Sequence, residues 1–198
     1  GAEHPLRAYY PDLAPDPLPR DEGWPAFRDF ALTHRDEITA IVRSRMVQTN
    51  VLERCGALLP GIATAAAELG APAGPIAMIE IGASAGLNLL WDRYAYEYAG
   101  AAGTARWGDA ASPVRLPVEV RGDLPLPAIP VGLRAGWRCG VDLAPVDLGN
   151  DDDFWWQRAL MWPERIDRQD RLEAARAMMA ADPVRIVAGH ANEQVPPL

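Results

Sequence analysis

Apolar positions along this chain follow three different spacings. From Trp24 to Met46, Phe27, Phe30, Ala31, Ile38, Ile41 and Val42 recur at helical intervals, which predicts two helices or one bent one. Asn50 followed by Glu53 resembles a capping pair, opening a helix that runs to Leu69 with Gly70 as its C-cap and is kinked or interrupted at Pro60-Gly61. The run Ile76 to Ile81 is apolar without alternation, as expected of a strand buried on both faces of a parallel sheet. Similar runs at 137–142 and 184–188 predict two more such strands, with helices after Asn150–Asp153 and over Arg165–Ala181. Between the first two strands the spacing changes to a period of two. Tyr94, Tyr96 and Tyr98 alternate, as do Val114 to Val120 around Pro117, predicting short strands in an antiparallel insertion with Pro117 at an edge or bulge. Pro5, Pro11, Pro15, Pro17 and Pro19 exclude regular helix or strand from the first 23 residues.

The order strand, helix, insertion, strand, helix, strand predicts an α/β fold: a three-layer, Rossmann-type parallel sheet, strand order 3-2-1, with an N-terminal helical cap and a small antiparallel insertion at about 94–122. The expected division is a Pro-rich segment and helical cap over 1–74 and an α/β core over 75–198. In that order the strand at 76–81 lacks its neighbour on one side. Either the natural protein continues past Leu198 or another chain covers the edge, because an uncovered apolar strand invites association.

A net charge of −8 argues against a nucleic-acid surface. No apolar run reaches membrane-spanning length and the N-terminus lacks a signal peptide's pattern, so the expected location is cytoplasmic. Cys55 and Cys139 have no metal-ligand spacing and read as buried free thiols, and no metal site is expected. The three aspartates Asp151, Asp152 and Asp153 suit a helix N-terminus better than a metal. His4 and His34 read as surface residues.

Candidate chemistry gathers at Glu80-Ile81-Gly82-Ala83-Ser84-Ala85-Gly86-Leu87-Asn88, where the first strand turns into a predicted helix. Two glycines there let a ligand approach first-turn amides that lack intrahelical partners. Glu80 is the acidic residue ending the strand, and Asp142 ends the second strand, where an acidic side chain accepts ribose hydroxyls. Its separation from Gly86 exceeds the usual interval, so the insertion must intervene. Asn88, Asp92 and Arg93 are weaker candidates for the same cleft. The same turn also reads as G-x-S-x-G, a nucleophile elbow, and Ser84, Asp142 (or Asp147) and His190 follow in the chain order of an esterase-type hydrolase. Against that reading, no strands and no His-Gly-Gly run precede the turn.

The pattern of acidic residue, spacer and glycine-rich loop resembles the first motif of S-adenosylmethionine-dependent methyltransferases. Gly1 to Leu6, Tyr9-Tyr10-Pro11, Trp24-Pro25-Ala26-Phe27, Gln48-Thr49-Asn50, the segment Gly82 to Tyr96, Trp107-Gly108-Asp109 and Trp162-Pro163-Glu164 together resemble the uncharacterised bacterial family catalogued as domain of unknown function 2332. The likeness covers nearly the whole chain. It implies a methyltransferase-type core, with this chain as an internal portion of a longer protein. It further implies S-adenosylmethionine as cofactor, bound by Glu80, Gly82, Ala83, Ser84, Gly86, Asn88 and Asp142, and an acceptor substrate that stays undefined. Gly189-His190-Ala191 stands where relatives carry Gly-Asp-Ala, so the acidic contact to adenine is missing. A non-catalytic binding or interaction domain is the alternative. Gln48, Thr49 and Asn50, with Arg45 and Arg54, are expected to fold over the strand ends as a wall facing Gly82–Asn88.

Overall fold

A computed structural model describes residues 3–48 and 50–198. The chain forms two compact units, residues 1–49 with 156–169 and residues 50–155 with 170–198. The boundary at Asn50 differs from the expected one after Gly74. The helix that precedes the first strand packs on a sheet of the second unit, so it belongs there rather than to a cap.

In the first unit, α1 (Trp24–Thr33) and α2 (Arg35–Ser44) are the two helices expected from the spacing. The Pro-rich start is not wholly irregular. It holds two short 3₁₀ turns, Pro5–Tyr9, which a proline at the first helical position permits, and Arg20–Glu22, which Pro19 precedes as N-cap. His4 is less exposed than expected. Its Nδ1 accepts from the Leu6 amide, its Nε2 lies 3.1 Å from Asp29, and its ring meets Phe30 edge-on.

In the second unit α3 (Arg54–Glu68) has Glu53 at its N-cap position, with no side-chain cap bond, and not Asn50, whose side chain is buried instead. The Ala71 amide donates to Ala66 and the Gly70 amide to Ala67, the paired bonds that end a helix at Gly70. Pro60 does not interrupt α3. It removes the amide that would bond the Gly56 carbonyl, and the Tyr98 hydroxyl donates to that carbonyl at 2.9 Å.

Strand β1 (Pro75–Ile81) follows, then the turn, then a 3₁₀ helix over Leu87–Arg93. The expected α-helix is not formed here. Leu87, Asn88, Leu89, Leu90 and Trp91 are all buried, and β2 (Ala95–Gly100) begins almost at once. Next come β3 (Gly103–Trp107), β4 (Arg115–Val120) and β5 (Arg134–Asp142), then α4 (Asp151–Ala159), α5 (Ile166–Ala181), β6 (Arg185–Ala188) and a short α6 (Ala191–Gln194). Strands β1, β5 and β6 form an all-parallel sheet in the expected order, β6-β5-β1. The fold is therefore mixed α/β around a parallel three-stranded sheet.

Two expectations about the sheets need correction. The insertion is a separate sheet, β3-β2-β4, in which β2 pairs antiparallel with β3 but parallel with β4. Period-two spacing reports faces and not strand direction, though Pro117 does lie on an edge strand. Strand β1 is not buried on both faces either. Met78 and Glu80 face the 3₁₀ helix side, whereas Ile79 and Ile81 are 39% and 67% exposed, and among the described residues the far edge of β1 has no strand partner.

The two sheets are joined through Asp92 and Arg138. The carboxylate of Asp92 takes both terminal nitrogens of Arg138, at 2.8 and 3.0 Å, and accepts the Ala135 amide; Arg138 also donates to the Leu89 carbonyl. The carboxylate of Asp92 is thus engaged within the protein, and Arg93 pairs with Asp182. Asp92→Asn leaves a guanidinium that is 14% exposed without its counter-charge. It is expected to cost about 3–5 kcal/mol, read from the urea midpoint. Tyr98→Phe is expected to cost about 1–3 kcal/mol by orphaning the Gly56 carbonyl. Pro60→Ala, which restores the helix amide, should recover much of that loss in a double-mutant cycle, and additive costs would refute the compensation.

Candidate functional site

The turn after β1 is held by bonds to β5 and to itself. Gly82 and Gly86 adopt positive φ of 76° and 74°, and Ser84 does so at 52°, a costly conformation for a residue with a side chain. Its compensation is Asp142. Oδ2 accepts the Ser84 amide at 2.7 Å and Oδ1 accepts the Ala144 amide at 2.9 Å. A Cβ on Gly140 would fall 2.6 Å from that of Ala83, so the turn sits directly on the β5 backbone.

These bonds change what the turn offers a ligand. The amides of Gly82 and Ala83 donate to the Val141 carbonyl, Ser84 to Asp142 and Gly86 to the Ala83 carbonyl. Four of the five amides expected to meet an anion are engaged within the protein. Only seven residues of 3₁₀ helix follow, so the aligned dipoles of a long α-helix are lacking as well.

Beside the turn lies a buried polar chain that joins three elements. The Cys55 thiol of α3 donates to Asn88 Oδ1 at 3.5 Å, and Asn88 Nδ2 donates to Glu80 Oε1 at 2.6 Å. The other oxygen, Glu80 Oε2, is buried with no hydrogen-bond partner among the described residues. Burial, opposed by the Asn88 bond and the charge of Arg54, holds the Glu80 carboxyl above its ordinary value, and nearby Asp142 adds to the rise. Burial and then the Glu80 charge push the Cys55 thiol up to about 12, so it remains a protonated donor at neutral pH. Cys55 and Cys139 are both free and buried.

The structure thus brings Glu80, Asn88, Ser84 and Asp142 to the carboxyl ends of β1 and β5. The hydrolase constellation is not assembled. Ser84 Oγ is buried without a hydrogen-bond partner, so no base engages it. Asp142 serves the turn's amides, and His190 is an exposed residue preceding α6. Asp147 bonds the Gly149 amide in the loop before α4. Asn150 Oδ1 caps that helix by accepting from Asp152 and Asp153. Among the described residues, no three His, Cys, Asp or Glu side chains form a group that could hold a metal. Among the same residues no helix is long and apolar enough to cross a membrane.

Cys55 is the member of this chain that sequence reasoning missed. One signal pointed to it indirectly: Asn88 stands amid Leu87, Leu89, Leu90 and Trp91, and a polar side chain in so apolar a run requires a buried partner. Of the proposed wall, Gln48 belongs to the first unit, where its carbonyl accepts from Gln157, and Thr49 lies outside the described residues. Asn50 belongs to the second unit, and its Nδ2 is buried without a partner.

A family model described as an uncharacterised protein conserved in bacteria, DUF2332, matches residues 1–198. No curated protein and no solved structure matches the chain.

Because Glu80 holds its proton to higher pH when folded than when unfolded, its contribution to stability is largest below the ordinary value of 4.5 and declines as pH rises through the raised one. Glu80→Gln keeps an acceptor for Asn88 and removes the charge. Its stability relative to wild type should therefore grow between pH 4.5 and 8 in urea titrations. A difference independent of pH would contradict the buried-carboxyl account.

Proposed function

The chain belongs to the uncharacterised bacterial family DUF2332, and we propose that its parallel sheet is an S-adenosylmethionine-binding core of methyltransferase type, with the cofactor over the carboxyl ends of β1 and β5. Ligands of open α/β sheets bind at those ends, and here two adjacent strands finish in the acidic residues Glu80 and Asp142 around a glycine-rich turn. The observation that carries the reading is Glu80 Oε2, buried and lacking a donor. Such an atom costs stability unless something bonds it, and a ligand's ammonium group supplies both the hydrogen bond and the opposite charge.

The fit is better for one half of the cofactor's amino-acid portion than for the other. Glu80 suits its ammonium. The amides of Gly82, Ala83, Ser84 and Gly86 are engaged and do not suit its carboxylate. Asp142 shapes the turn through Ser84 and takes a ribose hydroxyl only with lone pairs those amides leave free. The bound cofactor would supply an activated methyl group; the acceptor is left open. The finer site assignment is accordingly Glu80 as the cation's partner, Asn88 as the residue orienting Glu80, and Asp142 with Gly82 to Gly86 as the frame.

A second reading, a non-catalytic interaction domain, draws on the unpaired edge of β1 and its exposed Ile79 and Ile81. A strand supplied by a partner would cover that edge. Titration calorimetry with S-adenosylhomocysteine separates the readings. The methyltransferase reading expects one site per chain, affinity that rises as Glu80 loses its proton, and at least a tenfold loss in Glu80→Gln. Absence of heat from folded protein at pH 8 would favour the interaction domain.

A further inference from the structure

The second sheet has its own cavity, away from the turn. Residues paired across β2, β3 and β4 share a face, so Ala95 and Arg115 lie on the same side as Glu97, Arg106 and Pro117, opposite Tyr96 and Leu116. A cavity of about 360 Å³ opens there, within the range of small-molecule sites. On this face its lining includes Ala95, Glu97 and Pro117 together with three arginines, Arg106, Arg115 and Arg171. Short or cyclic side chains make this part of the sheet flat and apolar.

The three guanidinium groups are not equivalent. Arg106 is held by Glu97, with Nε at 2.7 Å and Nη2 at 2.6 Å from one carboxylate oxygen. Arg171 is fixed twice, to Glu53 at 2.7 Å and to the Arg115 carbonyl at 2.9 Å. Arg115 donates to the Ala110 carbonyl and meets no carboxylate among the described residues. Within a chain of net charge −8, Arg115 thus adds to the cavity a positive charge that no carboxylate among the described residues neutralises. An anion bound there supplies the counter-charge.

We propose that this cavity binds a small anion carried on a flat apolar body, an aryl carboxylate or aryl phosphate, with Arg115 as the partner of the anionic group. Arg106 and Arg171, positioned by their own carboxylates, flank the anion and supply field. Ala95 and Pro117 receive the ring. A planar fork that bonds two oxygens at once favours carboxylate or phosphate over a monatomic anion.

Calorimetry on the 198-residue chain tests this with four probes: indole-3-carboxylate, phenyl phosphate, uncharged indole-3-carboxamide and inorganic phosphate. One or both aryl anions should bind at one site, at least tenfold tighter than the carboxamide and tighter than inorganic phosphate. The arm that binds better identifies the head group. Arg115→Gln, exposed and at the start of an edge strand, should weaken binding at least fivefold with an unchanged melting temperature in the absence of ligand. If that variant is destabilised, Arg115→Lys, which keeps the charge and loses the fork, should still bind more weakly than wild type. Equal affinity for carboxamide and carboxylate, equal affinity for inorganic and phenyl phosphate, undiminished binding by Arg115→Gln, or no heat from any probe would each overturn the proposal.

Discussion

The geometry of the second unit depends on the ion pair between Asp92 and Arg138. Arg138 lies within the middle strand of the parallel sheet, and Asp92 lies near the end of the 3₁₀ helix that feeds the other sheet. Burying two charges is unfavourable by itself, and the pair is stabilising only because its geometry is bidentate and because the Ala135 amide and Leu89 carbonyl use the remaining positions. A connection of seven residues with the poor hydrogen-bond geometry of a 3₁₀ helix would not otherwise hold one direction. Everything that follows β1, including the turn and Asn88, is located by this connection.

Three carboxylates near the parallel sheet meet three different fates. Asp92 is neutralised by a guanidinium. Asp142 is held by two backbone amides and in return stabilises the left-handed Ser84. Glu80 receives one bond from Asn88, and its second oxygen stays shut away from water. Acidic residues in this neighbourhood are therefore not interchangeable candidates for binding. The first two are consumed by folding, and the energetic deficit that a ligand can make good lies at Glu80.

Much of this architecture was legible in the residues. The β1, β5 and β6 segments announced themselves as apolar runs bounded by glycine and proline, and the order of the parallel sheet followed from its connections. Pro117 foretold an edge. The shape of the helix after the turn was not legible, because Leu87-Asn88-Leu89-Leu90-Trp91 shows an apolar pattern that a buried α-helix and a buried 3₁₀ helix share. Nor could residue spacing reveal that Asp142 faces inward to Ser84, since an Asp at a strand end looks alike whether it bonds a ligand or the next loop. Burial of Glu80 was hidden for a similar reason: whether the face of a strand is covered depends on segments far away in the chain.

The pairing of the sheets also implies an order of assembly. In the second sheet Tyr98 meets Ala105 across a tight hairpin, whereas in the first Ile79 meets Cys139 only after the whole intervening chain has been gathered. Loop-closure entropy rises slowly with length but must be met before distant contacts repay it. Pairing β2, β3 and β4 shortens the effective loop between β1 and β5, and the Asp92–Arg138 pair ties that loop to β5. The insertion is thus less an ornament on the α/β core than a bridge between its first two strands, and every residue of this sheet is synthesised before those of β6.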